Sequence, residues 1–279
     1  MKLSEFKVSN YPDGHKHIVS DKDLHGDDML EISIRSFDDL FLAAQAKAIH
    51  PELKYLHINY MLGARCDRRF SPGEAEDLRI VCDFINLMGW ESVLVVKPHS
   101  YRTLELLKNA HAYDPTSKLL DRFKQDVGRE TRICYVSPDQ GASSWINELR
   151  VSPVIQGSKK RDPATGIVAG VSFVREAFWN EFSGKEQSKM VDSLDGREDH
   201  DFCIIDDLCD GGGTFIAIAK EIRSRYPAAK VYLIVTHAIF SKGFAPFNGW
   251  IDHIYCTNSF WDLSSRPSLT NPLVTQINL

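Results

Sequence analysis

Three features are scarce in this 279-residue sequence: paired cysteines, long apolar runs and an excess of positive charge. The six cysteines stand singly among apolar neighbours, and the lack of any C-x-x-C pair argues against a zinc ribbon. No apolar run approaches the roughly 18 residues that span a bilayer, and residues 1–10 lack the apolar core of a secretory signal. We therefore expect a cytoplasmic protein with reduced cysteines and no membrane partner.

The charge balance excludes one large class of partners. Lys and Arg total 33 and Asp and Glu total 38, which gives a net charge of −5. A chain of this balance lacks the broad basic surface that nucleic-acid binding requires, so no nucleic-acid partner is expected. The hydrophobic content of 43% and charged content of 25% are ordinary for a folded protein, and the length predicts about two domains.

Short apolar strands alternate with helical segments twice along the chain. This βαβ alternation predicts an α/β fold with mainly parallel sheets flanked by helices. A polar, charged stretch at 114–130 separates the two sets, so we predict a first domain of residues 1–125 and a second of residues 126–279. A second charged stretch, 184–201, is expected to be a loop or helix end. The predicted strands are 55–59, 92–96, 131–136, 202–205 and 231–236, and the predicted helices are 37–49, 75–87, 143–149 and 214–225.

The strongest chemical signal is a strand that ends in two acids and is followed by glycines. Strand 202–205 leads into Asp206 and Asp207. The loop and helix start that follow consist of Asp210, Gly211, Gly212, Gly213 and Thr214. Glycines let the backbone approach a ligand, and free N–H groups at a helix N-terminus, with the Thr214 hydroxyl, attract phosphate. Carboxylates are better suited to sugar hydroxyls or a shared metal, so the expected ligand is a phosphorylated sugar.

This loop and a second segment together carry a family resemblance. Residues 206–214 resemble the phosphoribosyl-diphosphate (PRPP) binding motif of type I phosphoribosyltransferases. Residues 60–74, Tyr-Met-Leu-Gly-Ala-Arg-Cys-Asp-Arg-Arg-Phe-Ser-Pro-Gly-Glu, resemble the ARQDR-type segment of ribose-phosphate diphosphokinases (PRPP synthetases). In that family this segment contacts the triphosphate of ATP, which implies that Arg65, Asp67 and Arg68 bind ATP here. Arginine suits phosphate because it forms two parallel hydrogen bonds. Cys66 replaces the family's Gln.

Two further strand ends match the family in order and spacing. Residues 95–100, Val-Val-Lys-Pro-His-Ser, are similar to the DLH segment, and residues 136–142 are similar to the SPDxGG segment. The resemblance implies that His99 and Asp139 help to place Mg²⁺ at the phosphates. Because Mg²⁺ prefers oxygen ligands, His99 is expected to act through water or on phosphate. Lys97 stands where the family has Asp, so either the metal site has one carboxylate fewer or Lys97 contacts phosphate itself.

A basic segment is similar to the family's flexible catalytic loop, in which a Lys-x-Arg pair leaves a strand. Lys159 and Arg161 fit that pair in residues 154–168, with Lys160 as the competing assignment for the lysine. Pro163 and Gly166 favour a mobile excursion over a helix. Such a loop would bring cations to the phosphates only when substrate is bound.

Two terminal regions complete the resemblance. Tyr11-Pro-Asp-Gly-His15 is similar to the family's F-x-D-G-E adenine-binding segment, which implies ATP contacts for Tyr11, Asp13 and His15. His15 replaces Glu, and the same five residues also form an ordinary turn sequence. Residues 236–243 and 256–259 look like the THGxFSxG and TNT/TNS segments and are interpreted as fold markers.

The resemblance implies two phosphoribosyltransferase-like α/β domains, the first binding ATP and the second binding ribose 5-phosphate. The implied reaction is ATP plus ribose 5-phosphate giving PRPP plus AMP, with Mg²⁺, in a homo-oligomer that shares its ATP site between subunits. Two alternatives stay open. One is a phosphoribosyltransferase that consumes PRPP. The other is a non-catalytic regulatory homologue, which is favoured by the three positions that differ from the family's segments, Lys97, Cys66 and His15.

Overall fold

The computed structural model describes residues 2–20, 29–161, 168–180, 185–190, 194, 196–265 and 271–279. These residues form two compact units, Met1–Asp114 and Pro115–Leu279, so the division lies eleven residues before the predicted boundary. The difference arises from the stretch 114–130, most of which is a helix, Thr116–Val127 (α4), instead of a linker. Its polar sequence hides an apolar stripe at helical spacing, and Leu119, Leu120 and Phe123 are buried.

The first unit contains a hairpin and a small parallel sheet. Strands β1 (Lys7–Asn10) and β2 (Lys16–Val19) pair in antiparallel fashion. The sheet has the order β3-β4-β5-β6 and is parallel throughout. Its strands are Met29–Ser33, Tyr55–Tyr60, Ser92–Val96 and Ala110–Tyr113, and the helices of the unit are α1 (Phe37–Ile49), α2 (Asp77–Leu87) and α3 (Arg102–Leu106).

Helix α1 starts where the sequence predicts it. Ser36 is the N-cap, and its hydroxyl accepts a hydrogen bond from the backbone N–H of Asp39 at 3.2 Å. The Asp39 carboxylate in turn accepts from the backbone N–H of Arg35 at 2.9 Å. These bonds satisfy N–H groups that a helix start otherwise leaves unpaired, which fixes the first residue of the helix.

The second unit is built on a mixed sheet of eight strands in the order β10-β9-β8-β7-β11-β12-β13-β14. Strands β7, β8 and β11 to β14 run parallel, whereas β8, β9 and β10 form an antiparallel edge. The stretch 184–201 therefore contains a strand, β10, where a loop or helix end is predicted. The strands are Ile133–Ser137, Val154–Arg161, Val168–Asn180, Lys185–Met190, Asp201–Cys209, Val231–Ala238, His253–Thr257 and Val274–Ile277, and the remaining helices are α5 (Gln140–Ile146) and α6 (Gly213–Arg225).

Burial on both faces explains the continuous apolar runs of the central strands. All eight residues of β12 are buried, and in β11 Phe202 and Ile204 join one core cluster while Cys203 and Ile205 join another. Side chains alternate between the faces of a strand, so each face needs an apolar cover. The predicted α/β class with mainly parallel sheets is confirmed. No helix among the described residues has the length and apolar character needed to cross a bilayer.

The sheets place the predicted segments at strand ends. In the second unit, the turns after the adjacent parallel strands β7, β11 and β12 lie at one edge of the sheet, where open α/β sheets bind ligands. In the first unit, the arginine-rich segment follows β4 and the His99 segment follows the neighbouring β5. Each unit thus has its own candidate region.

Candidate functional site

The acid pair of the second unit lies inside a strand instead of after its end. Strand β11 continues to Cys209, so Asp206 and Asp207 belong to its last four residues. Pairing with β7 stops at Ile204, whereas pairing with β12 runs on to Cys209. One side of β11 is therefore left without a neighbouring strand at the acids.

The glycine loop is tightly packed at its centre. Gly212 has φ +75°, a conformation that L side chains rarely adopt, and it is the N-cap of α6. A methyl group added there would lie 2.4 Å from the ring of Phe247. The carbonyl oxygen of Gly212 accepts the N–H of Ile216 at 3.0 Å, which is the first helical bond. Only glycine satisfies both the backbone angle and the ring contact.

A turn after β12 holds the start of the loop. The carbonyl oxygen of Cys209 accepts hydrogen bonds from the N–H groups of Ile239, at 2.9 Å, and Phe240, at 3.2 Å. Below this turn, the buried His237 imidazole lies 2.9 Å from the Ser259 hydroxyl, and Thr257 donates to the carbonyl of Thr236 at 2.8 Å. The segments predicted as fold markers thus tie β12 to β13 beneath the loop.

The start of α6 offers donors that suit an anion. The helix has thirteen residues, and no side chain caps its N-terminus. The first N–H groups of a helix have no intrahelical partner, and the helix dipole places partial positive charge there. Gly213 and Thr214 open the helix, and a methyl group added at Gly213 would meet nothing within 4 Å. This open, donor-rich end is the geometry that phosphate sites use.

The carboxylates near the loop repel one another. Asp207 is buried, and its backbone N–H donates to Oδ1 of Asp206 at 2.9 Å. Burial raises the pKa of the Asp206 carboxyl well above its ordinary value, and the charges of Asp207 and Asp139 raise it further. Asp139 lies in the turn after β7, where its Oδ1 caps α5 by accepting the N–H of Ala142 at 3.0 Å. Sugar hydroxyls or a cation would relieve this repulsion.

Asp139 and His99 do not belong to the same unit. The charge of Asp139 contributes to the raised pKa of Asp206 in the second unit, whereas His99 is an exposed residue after β5 in the first. Among the described residues, no three His, Cys, Asp or Glu side chains are grouped to hold a metal ion. The carboxylate oxygens of the second unit nevertheless fit Mg²⁺, which takes one or two carboxylates and fills its octahedron with water and substrate oxygens.

The arginine-rich segment of the first unit lines an open cavity of about 540 Å³. The lining residues are Asp67, Arg68, Arg69, Glu76, Ser100, Arg102 and Glu105. The cavity therefore joins the segment after β4 to the segment after β5, as the shared sheet edge predicts. Arg102 is a residue that the sequence interpretation missed; it pairs with Glu105 at 2.9 Å and with Glu76 at 3.5 Å. Its position three residues after His99 was the available signal.

Glu74 organises the turn of the arginine-rich segment. Its carboxylate accepts from the N–H groups of Phe70, at 2.8 Å, and Ser71, at 3.2 Å, and from the Ser71 hydroxyl at 2.7 Å. These bonds lower the pKa of the exposed Glu74 carboxyl. The Arg68 guanidinium lies 5.3 Å from the centre of the Phe70 ring. Short local bonds thus shape the turn while the arginines stay at the surface.

Lys97 is held within the first unit by an ion pair. The residue is buried, has φ 37°, and its Nζ donates to Asp114 at 2.5 Å. The sequence interpretation left open a smaller metal site or a phosphate contact. The structure accounts for the ammonium of Lys97 by an ion pair with Asp114, a partly exposed carboxylate of its own unit.

The N-terminal segment Tyr11 to His15 is the turn of the β1–β2 hairpin. The N–H of Tyr11 donates to the carbonyl of His15 at 2.8 Å, and Asp13 accepts from the N–H of His15 at 3.0 Å. The Tyr11 and His15 rings lie 5.6 Å apart, and His15 is 5.8 Å from Phe41 of α1. This exposed aromatic cluster is not part of the described lining of the arginine cavity.

The basic segment forms the last residues of β8. Lys159 pairs with Val171 and Arg161 with Val168 of β9. The backbone of the Lys-x-Arg pair is therefore strand up to Arg161, which agrees with a pair leaving a strand end. The residues that follow, 162–167, with Pro163 and Gly166, lie outside the described residues.

Several curated ribose-phosphate pyrophosphokinases are similar to this chain over most of its length. A ribose-phosphate pyrophosphokinase of Sulfolobus acidocaldarius is 26% identical, covering 96% of this chain and 88% of that protein. Those of Methanobrevibacter smithii and Ureaplasma parvum serovar 3 are 24% and 25% identical, covering 97% and 87% of this chain and 91% and 70% of those proteins. No protein-family model matches the chain.

The fold has a close solved counterpart. The crystal structure of phosphoribosylpyrophosphate synthetase from Mycobacterium smegmatis superimposes with a TM-score of 0.74 at 17% identity, covering 98% of this chain and 85% of that one. The shared architecture confirms the predicted pair of phosphoribosyltransferase-like domains. Over most of its length the chain is thus similar in sequence to ribose-phosphate pyrophosphokinases, and its fold matches that of a phosphoribosylpyrophosphate synthetase.

Proposed function

We propose that the protein transfers the diphosphoryl group of ATP to the anomeric hydroxyl of ribose 5-phosphate, giving PRPP and AMP. The observation that carries the proposal is the β11–α6 junction, where two acids, a glycine turn and an open helix start follow one another. The similarity to ribose-phosphate pyrophosphokinases along most of the chain supports the same reaction.

Ribose 5-phosphate would bind at the sheet edge of the second unit. The backbone N–H groups of residues 210–214 and the Thr214 hydroxyl would take the 5-phosphate. Asp206 and Asp207 would accept hydrogen bonds from the ribose hydroxyls. Because β7 no longer pairs with β11 at these acids, the sugar has access to them. The anomeric oxygen then attacks the β-phosphorus of ATP as its proton leaves, and the bond from that phosphorus to the AMP oxygen breaks.

ATP would bind at the arginine cavity of the first unit. Arg65, Arg68 and Arg102 are expected to bind the triphosphate, with Asp67 beside them. Arg102 already faces carboxylates in this cavity, so the exchange of Glu105 for a phosphate oxygen would cost it little. Tyr11 would stack on the adenine, and Asp13 and His15 would contact its edge.

Mg²⁺ would supply neutralisation of the charge on the transferring phosphates. Asp139, through its carboxylate, and His99, through water, are the residues we expect to organise it, and the charge of Asp139 contributes to the raised pKa of Asp206. Lys159 and Arg161 would stabilise charge on the diphosphoryl group from the end of β8. Catalysis would then rest on positioning and charge neutralisation, as in other phosphoryl transfers.

We expect a homo-oligomer in which a second copy completes the ATP site. The family resemblance implies an ATP site that is shared between subunits, and the hairpin residues are not among the lining residues described for the arginine cavity. The hairpin also adjoins exposed apolar side chains: Tyr11 is 51% exposed, and Phe37 and Phe41 of α1 are 58% and 50% exposed. Apolar surfaces of this kind commonly mark interfaces. Light scattering should find a dimer or larger species, and Phe41→Glu should dissociate it.

The reaction is tested by one incubation of the purified protein with Mg²⁺, ATP and ribose 5-phosphate. Equal amounts of AMP and PRPP are expected, and neither should form when the sugar phosphate is omitted. AMP without PRPP, or no reaction, would contradict the proposal. PRPP consumed on addition of a base would instead favour a phosphoribosyltransferase, and nucleotide binding without turnover would favour a regulatory homologue.

A further inference from the structure

The proposed phosphate loop carries no cation of its own. Residues 206–214 contain three aspartates, Asp206, Asp207 and Asp210, and neither Lys nor Arg. The N–H groups of a helix start provide only partial positive charge. A sugar phosphate carries close to two negative charges at neutral pH, and at this site it would lie beside carboxylates. The charge at this site therefore calls for a cation from another segment.

Lys242 lies directly against the loop. A methyl group added to Gly211 would lie 3.3 Å from both Cδ and Cε of Lys242 and 3.7 Å from its Cγ. The side chain stem thus crosses the face of Gly211, and the ammonium is one bond beyond Cε. Within the described part of the chain, no hydrogen bond or ion pair engages this ammonium. Lys242 is exposed, so the group is accessible to a ligand in solvent.

The turn that carries Lys242 is fixed to the loop that it covers. Its first two N–H groups, from Ile239 and Phe240, both donate to Cys209, the residue before the loop. Phe240 has φ +47°, and its carbonyl accepts the N–H of Gly243 at 2.8 Å. The Phe240 ring lies 5.6 Å from that of Phe247, which itself fills the space over Gly212. The position of Lys242 relative to Gly211 is therefore set by packed backbone and rings.

We propose that Lys242 binds the phosphate of the sugar phosphate and selects a phosphorylated over an unphosphorylated sugar. The proposal rests on the proposed function, because the β11–α6 loop must be the phosphate site. The lysine supplies the full charge that the loop lacks, and its stem closes the loop from the side of the β12 turn. Glycine at position 211 leaves room for the lysine stem in its present position, because a methyl group there would lie only 3.3 Å from Cδ and Cε of Lys242.

Titration calorimetry with ribose 5-phosphate tests the assignment directly. Lys242→Ala should weaken binding by about 10- to 150-fold, because the variant loses a hydrogen bond between two charged groups. Lys242→Arg should retain most of the affinity, because arginine keeps the positive charge. Lys242→Met should lose it, because methionine has a similar length but no charge. The control variant Lys220→Ala removes an exposed cation of α6 that lies over the Trp250 ring. This variant should bind ribose 5-phosphate as tightly as the unaltered protein does.

Steady-state kinetics provide the second measurement. Lys242→Ala should raise KM for ribose 5-phosphate while KM for ATP and kcat change less than twofold. Added salt should reduce the difference in KM for ribose 5-phosphate between the variant and the unaltered protein, because salt screens the charge of the lysine. Unchanged affinity in Lys242→Ala, or an equal loss for ATP, would overturn the role of Lys242. Failure of the unaltered protein to bind ribose 5-phosphate would instead overturn the proposed function, so the two failures are distinguishable.

Discussion

The two candidate sites are built in opposite ways. The loop of the second unit is made of backbone: a glycine with φ +75°, an open helix start and a turn bonded to Cys209. The cavity of the first unit is made of long side chains at the surface, with Arg68 and Arg69 exposed and Arg102 already paired to acids. A backbone site is organised before the ligand arrives, whereas an arginine site orders its side chains on binding.

The difference teaches which substitutions each site tolerates. If the loop binds phosphate, its backbone shape is what a single added methyl group would disturb. If the cavity binds ATP, each arginine should contribute its charge separately. The loop should therefore fail in an all-or-none manner, and the cavity should weaken in steps.

The largest effect is expected at the end of β8, where Lys159 and Arg161 would stabilise negative charge on the diphosphoryl group during its transfer. Lys159→Ala should lower kcat about 10²–10³-fold with smaller changes in KM, because a group that stabilises developing charge acts mainly in the transition state. Lys160→Ala is the matched control and should lower kcat far less. Near-normal turnover in Lys159→Ala, or a larger loss in Lys160→Ala, would reverse the assignment.

Gly212→Ala should break the loop. The positive φ and the 2.4 Å contact with Phe247 should cost about 2–5 kcal/mol of unfolding free energy. The displaced loop should bind ribose 5-phosphate about a hundredfold more weakly. Gly213→Ala has open space and no positive φ, so its unfolding free energy should match that of the unaltered protein in denaturant titrations. Equal losses in both variants would show that the loop is not shaped by this contact.

Arg68→Ala should weaken the other site in a single step. Loss of one bidentate phosphate contact should raise KM for ATP about tenfold, and the effect should shrink at high salt. The affinity for ribose 5-phosphate should not change. Arg122→Ala, which breaks an exposed pair with Asp126 on α4, serves as the control for charge. A matching loss of ribose 5-phosphate affinity would contradict the division of labour between the units.

Asp206→Asn should stabilise the protein while removing a sugar contact. Because the pKa of Asp206 is raised in the folded state, that state binds a proton more tightly than the unfolded chain does. Stability is therefore lost as pH rises above the ordinary Asp value of about 4. The variant should melt a few degrees higher at pH 8 and no higher near pH 4, by calorimetry at both pH values. A constant difference across this range would contradict the raised pKa.

Much of the fold follows from local patterns. Ser36 and Asp39 mark the start of α1, and the apolar run 92–96 coincides with β5, because capping and burial act on neighbouring residues. Strand β10 escaped prediction because its sequence, Lys-Glu-Gln-Ser-Lys-Met, contains no apolar run, although it pairs with the strand that directly precedes it, β9. Helix α4 escaped it because its polar surface outweighs a three-residue apolar stripe in composition.

The site was predictable in its segments but not in its contacts. The acids and glycines at 206–214 predict a phosphate loop. The extension of β11 to Cys209 could not be predicted from these residues, because it depends on pairing with β12. The motifs do not single out Arg102, three residues after His99, or Lys242, inside segment 236–243, because only tertiary packing brings these two side chains to the cavity and the loop. The ion pair between Lys97 and Asp114 likewise connects the ends of β5 and β6, two strands that are separated in sequence by α3.

The most direct test of the account follows the β-phosphorus of ATP. The purified protein is incubated with Mg²⁺, ribose 5-phosphate and ATP labelled at the β position, and the products are separated. Diphosphoryl transfer predicts all the product label in PRPP, with unlabelled AMP formed in equal amount. Label in ADP would reveal transfer of the γ-phosphoryl group alone, and that result, or label in free diphosphate without PRPP, would contradict the account.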